Sequence, residues 1–407
     1  MSDTLLTQLA NRLARPVEPG VRDRARLHLL DWLACIAGAL RTEAGALGRA
    51  ISPTAWEKST YLGNALEMDD VHRTALLHPG PVVWPTALSY PSASLAERLN
   101  AGIRGYEAMI AIGGMLDAHH YAHWHPTGTM GGFGAAAAFG SLIGFGPVQY
   151  ANALANAGSV AGGVWHMRHD DVLTKQWHVY HAVRTGRDAV LHVHYGATGP
   201  AALLEGPQGV FAAMARQPGP MPHGKGWLIR EVSLKPYAAC RHTHPAIDAA
   251  MELRAVGRLQ APFEVQTYAD ALAFCDRPDP VTELDAKFSL QHAVAIVSAG
   301  RHAEPSDFSL GAIAELGSLR SQVTVCEDPA ITARYPAHFG ATVNGFELVD
   351  ARGDPERPMS REDVITKLRS LCTWGGLSPE EPDRAIACVL EGDDAEAIDR
   401  MLQDWLT

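Results

Sequence analysis

The sequence has little positive charge and no cysteines spaced for a metal cluster. Its 407 residues carry 34 Lys and Arg against 45 Asp and Glu, a formal net charge of −11. This balance argues against a nucleic-acid partner, because such partners select a basic surface. The six cysteines form no CxxC pair, so zinc ribbons and ordinary iron–sulfur motifs are not expected. Such cysteine usage is typical of a reduced, cytoplasmic protein.

Nucleotide-binding and membrane signals are also missing. There is no phosphate-binding GxxxxGK sequence, and the stretch GFGAAAAFG does not follow a convincing strand. Residues 1–16 favour an amphipathic helix and lack the basic start and apolar run of a secretory signal. Residues 129–146 are long enough for a membrane span, but their glycines and alanines add little transfer free energy. We expect this stretch to pack in a core, with no membrane partner.

Hydrophobic spacing predicts helices at both ends of the chain and mixed structure between them. The predicted helices are 23–40, 92–99, 105–120, 129–146, 149–164, 246–256 and 394–406. The predicted strands are 227–240, 263–272, 322–326 and 342–349. We therefore predict a helical domain from residues 1–227 and 357–407, with an α/β domain at residues 228–356 inserted between them.

Histidine is the abundant residue type. The sequence has 19 histidines, and twelve of them lie between His72 and His194. Residues 118–167 contain no Asp, Glu, Lys or Arg, yet five histidines lie there. Clustered imidazoles without fixed charges indicate a buried, chemically active region, because imidazole changes its charge near neutral pH.

An acidic run, 67–70, precedes the histidines His72 and His78. Carboxylates beside imidazoles perform acid–base catalysis when they are buried together. The alternative is a solvated helix end that Asp69 or Asp70 caps. The sequence leaves both interpretations open.

A second histidine cluster follows further along the chain. His119 and His123 share a helix face, which suits a metal site with Asp117 or His120 as a further ligand. The HExxH arrangement is absent and no second motif supplies a carboxylate ligand, so we expect no metal. His125 lies at the turn that follows, where it either faces a pocket or is an ordinary core histidine.

Lys175 and His178 lie three residues apart and share a face if the segment is helical. A lysine beside an apolar pocket binds a carboxylate or has its pKa lowered. The alternative is an exposed lysine, which is the usual case.

The segment Lys235–His244 holds two cations, a phenol, a thiol and two imidazoles. At a strand-to-helix junction these groups and the backbone N–H groups can surround an anion. Cys240 would be a nucleophile if Arg241 or His242 lowers the pKa of its thiol. A polar, solvated loop is the alternative.

Taken in order, these motifs resemble the MmgE/PrpD family, which includes 2-methylcitrate dehydratase, cis-aconitate decarboxylase and iminodisuccinate epimerase. The matching stretches run in family order through more than half of the chain. They are residues 64–80, 125–144, 150–164, 174–178, 198–214, 235–249 and 287–295.

The resemblance implies a fold that is mainly α with an α+β second domain. A large all-helical domain is built from both chain ends, and a smaller α/β domain forms a lid. The implied active site lies in the cleft between the two domains. A homodimer is implied, and neither a metal nor an organic cofactor is expected.

The resemblance also implies the residues of the site. The catalytic candidates that it implies in this sequence are His78, His125 and Lys175. One of the two aspartates, Asp69 or Asp70, joins them together with Glu67. We place Lys235, Tyr237, Cys240, Arg241 and His178 as substrate-binding candidates. In the family's decarboxylases a histidine occupies the position of Cys240, which argues against decarboxylation by that route unless His242 or His244 substitutes for it.

These features predict a cofactor-independent lyase, most simply a hydro-lyase, for a citrate-like di- or tricarboxylate. Lys175, with Lys235 or Arg241, would hold carboxylates, while His125 and His78 would transfer protons at the carbon next to a carboxylate. Three alternatives stay open. They are an epimerase or decarboxylase on a related acid, a metal-dependent enzyme built on the second histidine cluster, and a non-catalytic carboxylate-binding relative.

Overall fold

The first part of the chain is helical, as its hydrophobic spacing predicts. The computed structural model describes residues 3–223 and 226–407. The helices up to residue 223 are α1 (Leu5–Leu13), α2 (Pro19–Ala39), α3 (Glu43–Ile51), α4 (Ala55–Leu62), α5 (Gly80–Ala87), α6 (Leu95–Gly113), α7 (Ala118–His123), α8 (Pro126–Leu142), α9 (Pro147–Gly158), a 3₁₀ helix (Trp165–His169), α10 (Thr174–His194) and α11 (Val210–Met214).

The next part combines short helices with a four-stranded sheet. Its helices are a 3₁₀ helix (Leu228–Glu231), a 3₁₀ helix (Arg241–Thr243), α12 (His244–Ala255), α13 (Ala269–Cys275), α14 (Glu283–Lys287), α15 (Leu290–Ser298), a 3₁₀ helix (Pro305–Phe308), α16 (Leu310–Glu315), α17 (Gly317–Arg320) and α18 (Pro329–Thr332). Its strands are β1 (Phe263–Thr267), β2 (Val323–Glu327), β3 (Ala341–Val343) and β4 (Phe346–Leu348). The chain then returns to helix with α19 (Arg361–Gly375), α20 (Glu381–Ile386), a π-helical turn (Ala387–Glu391) and α21 (Ala395–Trp405).

The fold is mainly α with an α+β second unit. The helical unit consists of Met1–Ala65, Asp69–Val232 and Val364–Thr407. The α+β unit consists of Leu66–Met68 and Ser233–Asp363. The sequence places this insertion at residues 228–356.

Helix α8 is rich in glycine and alanine and packs against α5, α6, α9 and α10. A Cβ atom added to Gly131 would lie 2.8 Å from the Cβ of Ala182, and one added to Gly186 would lie 2.4 Å from the Cβ of Ala135. Small residues are therefore needed for α8 and α10 to approach so closely. Within the described ranges, no helix combines the length and the apolar character needed to cross a bilayer.

The sheet of the α+β unit has the strand order β2–β1–β3–β4. Strand β1 runs parallel to β2 and antiparallel to β3. Along β1, Phe263, Val265 and Thr267 are buried while the two residues between them are exposed, so one face covers a core. Helix α12 packs against β3 and β4, and α15 packs against β2.

Three of the predicted strands are wrong in detail. Residues 263–272 form strand β1 only as far as Thr267, and helix α13 begins at Ala269. Residues 227–240 contain the 3₁₀ helix Leu228–Glu231 and no strand, and the backbone N–H of Leu234 bonds the carbonyl of Gly353 rather than a neighbouring strand. Residues 342–349 form parts of two strands, because Asn344 and Gly345, with φ of 44° and 80°, reverse the chain between them.

Helix α6 is continuous, where the sequence predicts two helices separated by residues 100–104. Its glycines do not break it, because they face large side chains. A Cβ added to Gly102 would lie 2.6 Å from the ring of Trp84, and one added to Gly105 would lie 2.7 Å from Val83. Glycine is used here for close packing rather than for a turn. The predicted helix 149–164 is shorter than expected and ends at Gly158.

Candidate active site

Asp69 and His78 lie side by side in the helical unit. Backbone pairing between His72 and Leu77 closes the loop between them. The Asp69 carboxylate lies 2.8 Å from Nδ1 of His78, and the backbone N–H of His78 donates to the Thr127 hydroxyl over 3.0 Å. Asp69 is 1% exposed, whereas the His78 side chain is 17% exposed. The imidazole therefore lies against a buried carboxylate and remains partly accessible.

Asp70 points to a different histidine. One carboxylate oxygen lies 2.8 Å from Nδ1 of His28 and accepts the Tyr106 hydroxyl over 2.5 Å. The other accepts the backbone N–H of Gly80 over 2.9 Å. Burial raises the pKa of Asp70 to about 6, although the hydrogen bonds from Tyr106 and Gly80 oppose the shift. Asp70 thus anchors the chain two residues beyond His78.

His125 immediately precedes α8 and is 1% exposed. Its backbone N–H bonds the carbonyl of Gly163, and its ring lies 4.7 Å from the Trp165 ring, centre to centre. Nδ1 of His125 lies 3.1 Å from Nδ1 of His178, so one imidazole donates and the other accepts. Nε2 of His125 is buried and makes no hydrogen bond to any residue that the structure describes. A buried polar atom in this position is suited to a ligand.

Lys175 and His178 belong to the first turns of α10. Burial lowers the pKa of His125 well below its usual value, and the neighbouring Lys175, His178 and His78 lower it further. The Asp69 carboxylate opposes this shift. His125 is therefore neutral at pH 7. The electrostatics also show that the structure brings five of the predicted residues into one neighbourhood of the helical unit.

The histidines of the second cluster contact Thr129 and one another. Nε2 of His120 lies 3.0 Å from the Thr129 hydroxyl, while the ring of His119 contacts that of His123 edge to face. Among the described residues, the group of three potential metal ligands with donor atoms within 4.8 Å is His338, Asp350 and Glu356. The α7 histidines do not belong to such a group.

The α+β unit holds the remaining predicted residues. The Lys235 side chain is fully buried, with Nζ 3.9 Å from a carboxylate oxygen of Glu67, which has a positive φ of 59°. The Tyr237 hydroxyl donates to Asp248 over 2.5 Å. Arg241 pairs with Asp354 at 2.5 Å. Tyr237 and Arg241 are thus bound within their own unit.

Cys240 is not activated by the side chains that the sequence suggests. The Arg241 guanidinium also donates to the carbonyl of Arg352. The His242 ring lies 2.7 Å from the Tyr268 hydroxyl and stacks on Phe339. Burial raises the pKa of the Cys240 thiol, but hydrogen bonds donated by the Cys275 thiol and the backbone N–H of His242 lower it below its ordinary value.

Two family descriptions match the sequence. The MmgE/PrpD N-terminal domain matches residues 54–222, and the MmgE/PrpD C-terminal domain matches residues 237–391. The chain belongs to the MmgE/PrpD family. The N-terminal match contains Asp69, His78, His125 and Lys175, and the C-terminal match begins two residues after Lys235.

Similar proteins come from two species of Aspergillus and from Homo sapiens. The cis-aconitate decarboxylase-like protein oryM of Aspergillus oryzae is 24% identical over 213 residues, 47% of this chain and 44% of that protein. The cis-aconitate decarboxylase of Aspergillus terreus is 26% identical over 234 residues, which cover 51% of this chain and 46% of that protein. The cis-aconitate decarboxylase of Homo sapiens is 26% identical over 270 residues, which cover 60% of this chain and 54% of the human protein. The chain therefore spans about half the length of the curated relatives it matches.

Several neighbours of the predicted residues in each unit escape prediction from the sequence. His28 and Tyr106 hold Asp70, Trp165 covers His125, and Cys275 contacts Cys240. His28 and Tyr106 lie on helices with many buried residues. A polar side chain at a buried helix position is the sequence signal that could have identified them. Nothing in the local sequence marks Cys275, because its partner lies 35 residues away.

Proposed function

We propose that this MmgE/PrpD protein is a hydro-lyase that removes water from a citrate-like di- or tricarboxylate. The observation that carries the proposal is the pairing of Asp69 with His78 at 2.8 Å, in the neighbourhood of the buried His125 and of Lys175. Imidazoles transfer protons near neutral pH, and a lysine binds carboxylates. The arrangement suits proton transfer at the carbon next to a substrate carboxylate.

His78 takes the carbon-bound proton in the proposed reaction. Asp69 faces Nδ1, so it favours the tautomer whose Nε2 accepts that proton, and it stabilises the imidazolium that forms. The electron pair of the broken C–H bond forms a C=C bond, and the C–O bond to the neighbouring hydroxyl breaks. A second group must donate a proton to the departing hydroxyl, which leaves as water.

Lys175 and His125 stabilise the charge that develops. Lys175 binds the substrate carboxylate beside the reacting carbon and so favours the carbanion-like state. His125 stays neutral, because burial and the nearby Lys175 lower its pKa, and it therefore serves as a hydrogen-bonding group rather than a cation. Its buried Nε2 is suited to a substrate oxygen.

Decarboxylation is the second candidate, and the names of the three similar proteins favour it. In that reaction the C–C bond to a carboxylate breaks, carbon dioxide leaves, and a protonated imidazole gives its proton to the carbon. The cysteine at position 240 favours dehydration instead, because the resemblance to the family's decarboxylases implies a histidine at this position for decarboxylation. Epimerisation of a related acid remains a third outcome of the test.

The deciding experiment is an activity screen of purified, chelator-treated protein against citrate, 2-methylcitrate, cis-aconitate and amino-dicarboxylates. Dehydration produces a conjugated acid that absorbs in the ultraviolet, decarboxylation releases carbon dioxide, and epimerisation changes only the stereochemistry. We expect dehydration, with a raised KM in Lys175→Met and an unchanged KM in the control Arg258→Met, which lies on the exposed surface. Binding of these acids without any turnover would instead identify a non-catalytic relative.

A further inference from the structure

Two histidines of the helical unit share one hydrogen bond. Nδ1 of His125, the residue before α8, lies 3.1 Å from Nδ1 of His178 in α10. The two ring centres are 5.3 Å apart, and the rings are inclined to each other by 36°. His125 is 1% exposed, whereas His178 is only half-buried. The pair therefore connects a buried imidazole to one that contacts solvent.

Two glycines and a tryptophan hold this pair in place. The carbonyl of Gly163 accepts the backbone N–H of His125 over 2.9 Å. A Cβ added to Gly163, whose φ is 115°, would lie 3.3 Å from Nδ1 of His178, and one added to Gly128 would lie 3.2 Å from the Cβ of His178. The Trp165 ring covers His125 at 4.7 Å, centre to centre. Because the backbone packs so closely against the pair, the fold fixes the positions of both rings.

The second ring nitrogen of His125 decides which imidazole donates. Nε2 of His125 is buried and makes no hydrogen bond to the described part of the chain. The substrate proposed above offers carboxylates, which only accept hydrogen bonds, and a hydroxyl that must gain a proton. To bond either group, Nε2 must carry the single proton of neutral His125, which leaves a lone pair on Nδ1. Nδ1 of His178 is then the donor of the 3.1 Å hydrogen bond.

The His78 base lies at the same end of α8 as this pair. The backbone N–H of His78 donates to the hydroxyl of Thr127 over 3.0 Å, and Thr127 belongs to the first turn of α8, which His125 directly precedes. His78, His125 and His178 all belong to the helical unit. A base and a proton donor are therefore available to one substrate within this unit.

A neutral imidazole needs a partner to act as an acid. Burial lowers the pKa of both His125 and His178, so both imidazoles are neutral at pH 7. If Nε2 of His125 alone lost its proton, a buried imidazolate anion would form at a high cost in free energy. Uptake of a proton at Nδ1 removes this cost, and Nδ1 of His178 lies within hydrogen-bonding distance to supply it.

We propose that His125 and His178 form a proton relay that protonates the departing hydroxyl. This inference rests on the proposed function, which requires a second proton donor. As the C–O bond breaks, the Nε2–H bond of His125 breaks and its proton joins the hydroxyl to make water. Nδ1 of His125 takes the proton from Nδ1 of His178, and Nε2 of His178 takes one from solvent, so both imidazoles stay neutral.

The protons balance over the whole cycle. His78 returns the carbon proton to solvent, which replaces the proton that His178 took up. When the product has left, water in the site gives a proton to Nε2 of His125 and the pair passes one back to solvent, which restores both tautomers. His178 is thus a positioning residue that acts through His125 and does not itself bind the substrate.

The first test uses His178→Asn, whose amide keeps an N–H donor near the position of Nδ1 but does not pass a proton on. Because His78 carries the carbon proton, water loss should fall by about 10²-fold or more while exchange of that proton with deuterated solvent continues. Ultraviolet absorption follows water loss, and mass spectrometry of the recovered acid follows exchange. His192→Asn, which is exposed on the same helix, is the matched control and should keep both activities.

The outcomes separate the relay from a structural role and from the proposed function. Water loss at the wild-type rate in His178→Asn overturns the relay. Loss of both activities in this variant also overturns it, because it would show that His178 only supports the fold. If the wild-type protein shows neither activity on any acid, the proposed function fails instead.

The second test measures the tautomers without turnover. His78→Gln lacks the base and so holds unreacted the acid that the wild-type protein dehydrates. NMR of isotopically labelled imidazole nitrogens is recorded with this acid bound, and the signals of His125 are assigned by their absence when His125→Gln is added to the variant. We expect protons on Nε2 of His125 and on Nδ1 of His178. A proton on Nδ1 of His125 would reverse the hydrogen bond and overturn the relay.

Discussion

Asp69 and Asp70 are adjacent in the sequence, yet their carboxylates bind different histidines. Asp69 lies 2.8 Å from Nδ1 of His78, and Asp70 lies 2.8 Å from Nδ1 of His28. The first imidazole is accessible, and the second is fully buried. The two carboxylates therefore differ in role: Asp69 acts through His78 in the proposed mechanism, whereas Asp70 holds the scaffold.

Asp69→Asn should remove activity and leave the fold intact. The amide keeps the shape of the carboxylate but loses the negative charge that stabilises protonated His78 and selects its tautomer. We expect kcat to fall by about 10²-fold or more, with a circular dichroism spectrum like that of the wild type. Asp188→Asn, on the exposed side of α10, is the matched control. Wild-type kcat in Asp69→Asn would remove Asp69 from the mechanism.

Asp70→Asn should act mainly on stability. Asp70 is buried and accepts hydrogen bonds from Tyr106 and Gly80, and the new amide N–H₂ would face one of these donors. We expect the free energy of unfolding in urea to fall by about 1–3 kcal/mol. Tyr106→Phe, which removes one donor, should lower it by a smaller amount. Unchanged stability together with a large loss of kcat would show that Asp70 takes part in the chemistry.

His125→Ala should lower turnover by about 10²- to 10⁴-fold if its imidazole assists proton transfer or stabilises charge. Because His125 is buried, His125→Asn is tested beside it to separate the loss of the imidazole from the loss of packing. His123→Ala, on the exposed end of α7, should retain activity. Full activity in both His125 variants contradicts the proposed site.

Stability should fall as the pH drops below 6.5, and His120 should account for part of the loss. Burial lowers the pKa of His120 to about 4 in the folded protein. Between its unfolded pKa of about 6.5 and that value, the unfolded chain takes up a proton that the folded protein does not. We expect His120→Gln to reduce the loss of unfolding free energy over this range by up to about 3 kcal/mol.

The pH experiment compares urea unfolding of wild type and variant at each pH. Asp70 acts in the opposite direction, because its raised pKa of about 6 adds stability as the pH falls from 6 toward 4. Since Asp70 is present in both proteins, its effect cancels in the difference. Parallel stability curves for the two proteins would show that His120 does not titrate differently on unfolding.

Gly186→Ala should destabilise the contact between α8 and α10. The added Cβ would lie 2.4 Å from the Cβ of Ala135 and 2.6 Å from the backbone nitrogen of Ala136, so one helix must move. We expect a loss of about 1–3 kcal/mol of unfolding free energy, even though alanine favours helix. Gly219→Ala, where nothing lies within 4 Å, should change stability by about 0.5 kcal/mol or less. Equal effects of the two substitutions would contradict the packing argument.

Hydrophobic spacing correctly predicted several helices and strands, because the buried face of each is visible in its own stretch of sequence. The helix at residues 23–40 appears as α2, the one at 246–256 as α12, and the strand at 322–326 as β2. Residues 227–240 misled the prediction, because alternation describes which side chains are buried and not which backbone groups pair. Leu234 is buried in this segment, but its N–H bonds the isolated carbonyl of Gly353.

By itself, the sequence determined the family, the mainly helical architecture with its α+β insertion, and the residue types available for acid–base chemistry. Only the tertiary structure decided which groups meet. His125 and His178 lie 53 residues apart and their nitrogens are 3.1 Å apart, and Asp69 rather than Asp70 faces His78. Hydrophobic periodicity is a local property, because it reports only the face of its own helix or strand on which a side chain lies. The partner across that face depends on how separate elements pack, and no local pattern encodes that choice.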